Sequence, residues 1–349
     1  MPDPEDLPEI PLIDLGREPP IALLDHAAAH LDRLMAGCER HYGRLVLRVG
    51  DAVTRRWLER ADNPYRHDIA RIARRVGRPG ATMLNLSYEW SCTTGVAPDP
   101  GQAGSRLLRT LDWPTPALGA SIVVARQEGA AGPYCNVTWP GFAGVLTAMA
   151  PGRFSAAINQ PPLKKVTPSL YLDWLISRPG VWRRQSLPPA HLLRRVFDEC
   201  RSYGEALAML RDTPICVPVF FTLSGLAADE GAVIERREED AAVLPAPASI
   251  SNHWRRLPQA GHARGEDSEA RLAMMEGVCG AAGNDFAWLR PPILNPATRI
   301  AVIANAACGS LIVQGWEEDG AATAVLRLAE PPAGETRHTT RDRLPAAPA

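Results

Sequence analysis

After residue 82 this sequence turns from helical periodicity to short runs rich in β-branched and aromatic residues, each bounded by glycine or proline. That change restricts the folds open to it. The runs are Met83–Glu89, Ala120–Gln127, Val145–Ala150, Phe154–Ile158, Val217–Leu223, Ala232–Arg236, Arg299–Ile303, Ser310–Gln314 and Ala324–Leu328. Two helical blocks interrupt them, Ser169–Leu175 with Ala190–Leu210, and Ser268–Val278. Before residue 82, Pro8–Leu15 reads as extended, and Ile21–Met35, Leu45–Trp57 and Ile69–Val76 repeat apolar residues at helical spacing, closing at Gly77–Gly80. Strands set between blocks of helix predict a layered α+β architecture, with helices packed on antiparallel sheets. The Ala/Pro-rich stretch Leu344–Ala349 reads as a frayed tail.

Composition removes several function classes. With 46% apolar and 22% charged residues the chain can bury a core, and its net charge of −1 gives no global pull toward nucleic acid or anionic membrane. Eight arginines lie between Arg55 and Arg78. They lack the aromatic or lysine support of a nucleic-acid patch and read as a solvated helix face. The acidic, proline-broken start carries no basic and apolar leader pattern. The best apolar window, Ile300–Val313, is too short to span a bilayer, so the reading is a cytoplasmic protein with no transmembrane segment. Seven scattered cysteines form no CxxC pair and no zinc spacing, so neither a metal nor another cofactor is expected. Most of them read as small buried hydrophobes.

Cys92 is the exception. It follows the run that starts at Met83, in Ser91-Cys92-Thr93-Thr94-Gly95-Val96-Ala97, and Arg109 and Asp112 come later in Arg-Thr-Leu-Asp-Trp. Taken singly, these are a structural cysteine and a local ion pair. As an ordered set, Cys-Thr-Thr-Gly-Val-Ala followed by Arg-x-x-Asp-Trp resembles the start of the catalytic subunit in the acid ceramidase and N-acylethanolamine acid amidase family. That family falls among the choloylglycine-hydrolase-type N-terminal-nucleophile (Ntn) hydrolases. Phe142 to Asn159 resembles its aromatic-Ala-Gly, Leu-Thr, Pro-Gly-x-Phe-Ser and Asn run. Thr213–Gly225 resembles the strand before its central turn, and Ser251-Asn252-His253-Trp254 its Thr-Asn-Tyr/His-aromatic motif. Glu9–Leu15 and Asn85–Glu89 resemble the smaller subunit. Ser91 stands where the family carries a bulkier apolar residue. Asn85-Leu-Ser and Asn136-Val-Thr read as chance sequons.

The resemblance implies a four-layer αββα Ntn-hydrolase sandwich, a small, largely helical α subunit over residues 1–91, and a catalytic β subunit over 92–349 that stays packed against it. In such enzymes the bond before the nucleophile is self-cleaved, here Ser91–Cys92. The freed α-amine, with a pKa of about 7.7–8.0, can take the thiol's proton, so the eight histidines need supply no triad partner. By the matched motifs, Asp112 would orient the amine and Arg109 would pair with Asp112 and favour the thiolate. Asn252, with Asn159 as second donor, would bind the oxyanion. Arg271, in Asp-Ser-Glu-Ala-Arg, matches the family's late active-site arginine. His253 reads as a packing or hydrogen-bonding residue.

The implied activity is hydrolysis of linear N-acyl amides, with fatty-acyl amides as the expected substrate class, through an acyl-thioester on Cys92. Trp90, Trp113, Trp139, Phe142, Met149 and Phe154 are candidates to line an acyl channel. Two alternatives stay open: an acyltransferase using the same thioester, and an uncleaved, non-catalytic homologue acting as a binding or structural protein.

Overall fold

The computed structural model describes residues 7–86 and 90–329. Two sheets stacked face to face form its centre. The first has eight strands in the order Leu12–Gly16, Val123–Gly129, Gly132–Thr138, Thr147–Ala150, Phe154–Asn159, Val219–Ser224, Gly231–Arg236 and Ala241–Pro245. It is antiparallel except at Leu12–Gly16, an edge strand parallel to Val123–Gly129. The second sheet has seven antiparallel strands. Ala248–Ile250, Ser91–Pro98, Ser105–Asp112, Thr298–Asn305, Ser310–Glu317 and Gly320–Ala321 follow one another, and Leu326–Ala329 also pairs with Ser310–Glu317.

Strand alternation builds the layers. Leu111 points into the space between the sheets, where it joins Met149, Ile300 and Val302 in the largest buried cluster. Leu108, Ala301, Ile303 and Ile312 point outward and pack under Met275 and Cys279 of the helix region Ser268–Cys279, with Trp288 and Leu289. Helices Pro189–Glu199 and Tyr203–Asp212 lie on the outer face of the first sheet. The order of layers is therefore helix, sheet, sheet, helix: the expected αββα sandwich.

Among the described residues before Ser91 the α-helices are Leu23–His26, Ala28–Tyr42, Arg44–Arg60 and Arg66–Val76. The last ends on Gly77, whose φ of 63° is the left-handed cap conformation that glycine adopts without strain. The arginine run is distributed as a solvated face: Arg66 pairs with Asp62, Arg75 with Asp25, and Arg78 with Asp32 and Glu39.

Two expectations about local structure change. Met83–Leu86 is a single 3-10 turn, not a strand, because the Asp51 carboxylate accepts the N–H groups of Gly80, Thr82 and Met83 and curls the backbone. Residues 87–89 lie outside the described residues, as does the tail 344–349. The strand instead begins at Ser91, so Cys92 sits within it. Among the described residues no helix is long and apolar enough to cross a membrane.

Candidate active site

Every part of Cys92 is held by a different neighbour. Its side chain points between the sheets and is fully buried, with Arg109 Nη2 donating to Sγ at 3.2 Å and Sγ facing Ile158 O at 3.5 Å. Its backbone N–H donates to Asn252 Oδ1 at 3.0 Å. Its carbonyl accepts from Arg271 Nη1 at 2.9 Å. Burial pushes the thiol up to about 11; Arg109 and Arg271 pull the other way, while Asp112 adds to the rise. In the uncleaved chain the thiol is therefore neutral at physiological pH.

Register explains who meets whom. Ile250 pairs with Thr94 on the edge of the second sheet, so two residues further along Asn252 arrives beside Cys92. Thr94 pairs with Arg109, which puts Arg109 on the same inward face as Cys92 and Thr94. Thr147 accepts a hydrogen bond from Arg109 Nη1, and Nη2 also reaches Ile158 O at 3.0 Å.

The expected Arg109–Asp112 pair does not form. Three residues is an odd spacing on a strand, so Asp112 faces outward with Thr93, on the side opposite Arg109. There its ion-pair partner is Arg271, with Nη1 3.6 Å from Oδ2, and Thr298 Oγ1 donates to Oδ1 at 2.9 Å. Among the described residues Oδ2 itself accepts no hydrogen bond. Burial raises the Asp112 pKa, while Arg271, Asn295, Thr298 and Arg109 act against the rise.

Arg271 ties both sides together. Nη1 reaches Thr93 Oγ1 as well as Cys92 O, and Nη2 donates to Asn252 Oδ1 at 2.9 Å. Its helix can come this close because Gly95 leaves room: a Cβ there would lie 2.7 Å from Cys279 Cβ and 2.9 Å from Met275 Cγ. Opposite, the loop before the helix seats Ser91. A Cβ on Gly265 would lie 2.6 Å from the Ser91 side chain.

The two asparagines differ. Asn252 Nδ2 donates to Gln160 O at 2.7 Å. Asn159 Nδ2 donates to both Ile250 O and Ser251 O, and its Oδ1 accepts from Thr94. With both amide hydrogens engaged in tying the two sheets, Asn159 has no donor left for an oxyanion in this arrangement. Sequence reasoning did not single out Thr147, Thr298 and Ser268 as site residues. Thr147 lies within the quoted Leu-Thr run, whereas Thr298 falls just outside the expected strand Arg299–Ile303 and carried no signal. Among the described residues no group of three His, Cys, Asp or Glu side chains could hold a metal ion.

An apolar pocket opens between the sheet sandwich and the helices of the first 91 residues. Trp113, Trp139 and Phe142 wall it on one side, and Leu34, Met35 and Ile72 from the first 91 residues close the other. Trp90 stacks 5.1 Å from Trp113, linking this wall to the strand of Cys92. Met149 and Phe154 are fully buried core side chains and do not line the cavity; Phe154 packs on Phe197.

No family model matches the chain. Among curated proteins it is 31% identical over 104 residues to the acid ceramidase of Homo sapiens, covering 30% of this chain and 25% of that protein. It is 27% identical over 161 residues to the N-acylethanolamine-hydrolyzing acid amidase of Oryctolagus cuniculus, covering 45% and 42%. The matched part thus spans about a quarter of the length of the acid ceramidases. Among solved structures, the Caenorhabditis elegans N-acylethanolamine-hydrolyzing acid amidase ortholog aligns with a TM-score of 0.49 and 18% identity, over 68% of this chain and all of that one. The resemblance carried by Cys-Thr-Thr-Gly-Val-Ala and Arg-x-x-Asp is borne out: the chain is similar in sequence to acid ceramidases and N-acylethanolamine acid amidases.

Proposed function

We propose that this protein is an amide hydrolase of the N-terminal-nucleophile type, acting on linear N-acyl amides after cleavage of its own Ser91–Cys92 bond. The observation that carries the reading is the treatment of Cys92. Its thiol, amide and carbonyl are each held by a separate buried polar side chain, which a cysteine that merely fills space does not need. The relatives' names, ceramidase and N-acylethanolamine-hydrolyzing amidase, supply the substrate class of lipid-like N-acyl amides.

Maturation begins with attack of Cys92 Sγ on the Ser91 carbonyl. The peptide C–N bond breaks as the thioester forms, and the Cys92 nitrogen takes the thiol proton. Water then cleaves the thioester to leave a Ser91 carboxylate and a free Cys92 amine. In turnover that amine accepts the thiol proton while Sγ attacks the substrate carbonyl. Asp112 Oδ2, buried and without a hydrogen bond among the described residues, is an acceptor for the amine. Arg109 beside Sγ stabilises the thiolate. Asn252 Nδ2, once it leaves Gln160 O, is the donor for the oxyanion. The substrate's amine leaves with the proton, and water releases the acid. The cavity walled by Trp113, Trp139 and Phe142 is an apolar space for an acyl chain, and its other wall keeps residues 1–91 attached as a subunit.

Cys92→Ala tests the whole scheme. It should yield one uncut, folded chain with no turnover on a panel of N-acylethanolamines, ceramides, N-acyl amino acids, bile-acid conjugates and penicillin V. Two bands on a denaturing gel from this variant, with a new N-terminus at residue 91 or 92, would reject self-cleavage by Cys92.

A further inference from the structure

Just behind Asn252, on the side away from Cys92, lies a polar cluster that the scheme above does not use. Ser268, the first residue of the helix Ser268–Val278, holds its hydroxyl at the centre. Its Oγ accepts the backbone N–H of Asn252 at 3.0 Å and lies 2.8 Å from both Ser251 Oγ and His253 Nδ1. Ser251 Oγ donates to the Ser268 carbonyl at 2.7 Å, and His253 Nδ1 is also 3.2 Å from Ser251 Oγ. Three consecutive residues, 251 to 253, are thus fastened to one serine, and the middle one is Asn252.

The hydrogens fix how this works. The Ser251 hydrogen is committed to Ser268 O, so the single Ser268 hydrogen decides the rest. When His253 Nδ1 is bare, Ser268 donates to it. When Nδ1 is protonated, it donates to Ser268 Oγ, and the Ser268 hydrogen turns to Ser251 Oγ. In both states the Ser268 oxygen keeps a lone pair for Asn252 N–H. The charged groups around His253 are Glu269, Arg255, Arg271 and Glu235, two of each sign, and burial lowers its pKa. Ser268 also lies one helical turn before Arg271, which donates to Asn252 Oδ1. One hydroxyl therefore sets the backbone of Asn252 and the base of the helix whose arginine sets its side chain.

We propose that Ser268 and His253 are positioning residues for Asn252: the Ser251–Ser268–His253 cluster aims the Asn252 amide at Cys92 and keeps it aimed whichever way His253 is protonated. The catalytic consequence rests on the amidase reading; the positioning itself does not. Ser268→Ala removes the central oxygen and Ser268→Thr restores it. His253→Leu removes the imidazole acceptor, and His253→Asn replaces it with an oxygen near the Nδ1 position.

Two readouts are taken on the purified full-length protein at temperatures where its melting curve is flat. The first is hydrogen exchange at residues 251–253. The second is kcat and KM on the best N-acyl amide of the panel. Ser268→Ala should speed exchange at Asn252 and lower kcat by about 10- to 100-fold with KM little changed, and His253→Leu should do the same more weakly. Ser268→Thr and His253→Asn should restore most of both. Unaltered exchange at Asn252 in Ser268→Ala and His253→Leu would overturn the proposal. So would a kcat loss that Ser268→Thr fails to restore while melting is unchanged. If the wild-type protein hydrolyses no amide of the panel, faster local exchange in Ser268→Ala still supports the positioning, and only the functional reading falls.

Discussion

Asp112 and Arg109 illustrate how much one residue of spacing decides. A strand sends alternate side chains to opposite faces, so the two cannot share a face at positions 109 and 112, and each acquires its own task. Arg109 addresses the thiol from between the sheets, while Asp112 lies against Arg271 behind the strand. Asp112→Asn keeps the shape and removes the charge. It leaves Arg271 buried beside a neutral amide, a loss of about 3–5 kcal/mol for a broken buried pair. In the proposed scheme it also takes away the charged acceptor for the Cys92 amine. Amide turnover measured below the lowered melting temperature should fall by about 100-fold or more, and the uncut fraction should rise. Turnover that survives once stability is restored by temperature would take Asp112 out of the mechanism. The residue types of this pair were legible in the sequence; their partners were not, because a partner depends on which face a strand turns toward which layer.

At the scale of elements, the least legible segment was the one that matters most. Ser105–Asp112 reads Ser-Arg-Leu-Leu-Arg-Thr-Leu-Asp and shows no alternation, since both of its faces are covered: one by the opposite sheet, the other by helix and loop. Hidden strands of this kind escape a pattern search, whereas the helices Arg44–Arg60 and Ser268–Val278 matched their periodic stretches closely. Asn252 beside Cys92 was foreseeable as a motif, but its approach needs the pairing of Ile250 with Thr94. The glycine of Cys-Thr-Thr-Gly acquires a reason only in three dimensions, where it admits the helix that carries Arg271. Gly95→Ala should therefore lift that helix from the sheet and cost about 1–3 kcal/mol. A melting curve together with the uncut fraction checks this, and wild-type values for both would mean the contact yields freely.

Across the whole molecule, residues 1–91 and the rest are joined by specific contacts as well as by the chain. Asn63 Nδ2 donates to His191 Nδ1 at 2.9 Å in a buried pair, and Trp57 reaches Val181 O. Burial, helped by the Arg194 charge, pushes His191 down from 6.5 to about 3. A depressed histidine favours the folded state fully above about pH 6.5 and progressively less as pH falls toward about 3. The melting temperature of the wild type should accordingly drop between pH 6.5 and 4. His191→Asn, which keeps an acceptor for Asn63 but cannot take a proton, should show a shallower drop. Equal slopes would assign the acid sensitivity to other groups. The same first segment contributes Leu12–Gly16, which lies parallel along Val123–Gly129 at the end of the first sheet. Stripped of that strand, Val123–Gly129 would offer a bare row of N–H and C=O groups to any passing chain. Under the proposed cut at Ser91–Cys92, the segment released from the chain is thus also the cover that keeps copies of the larger part from adding to one another, strand upon strand.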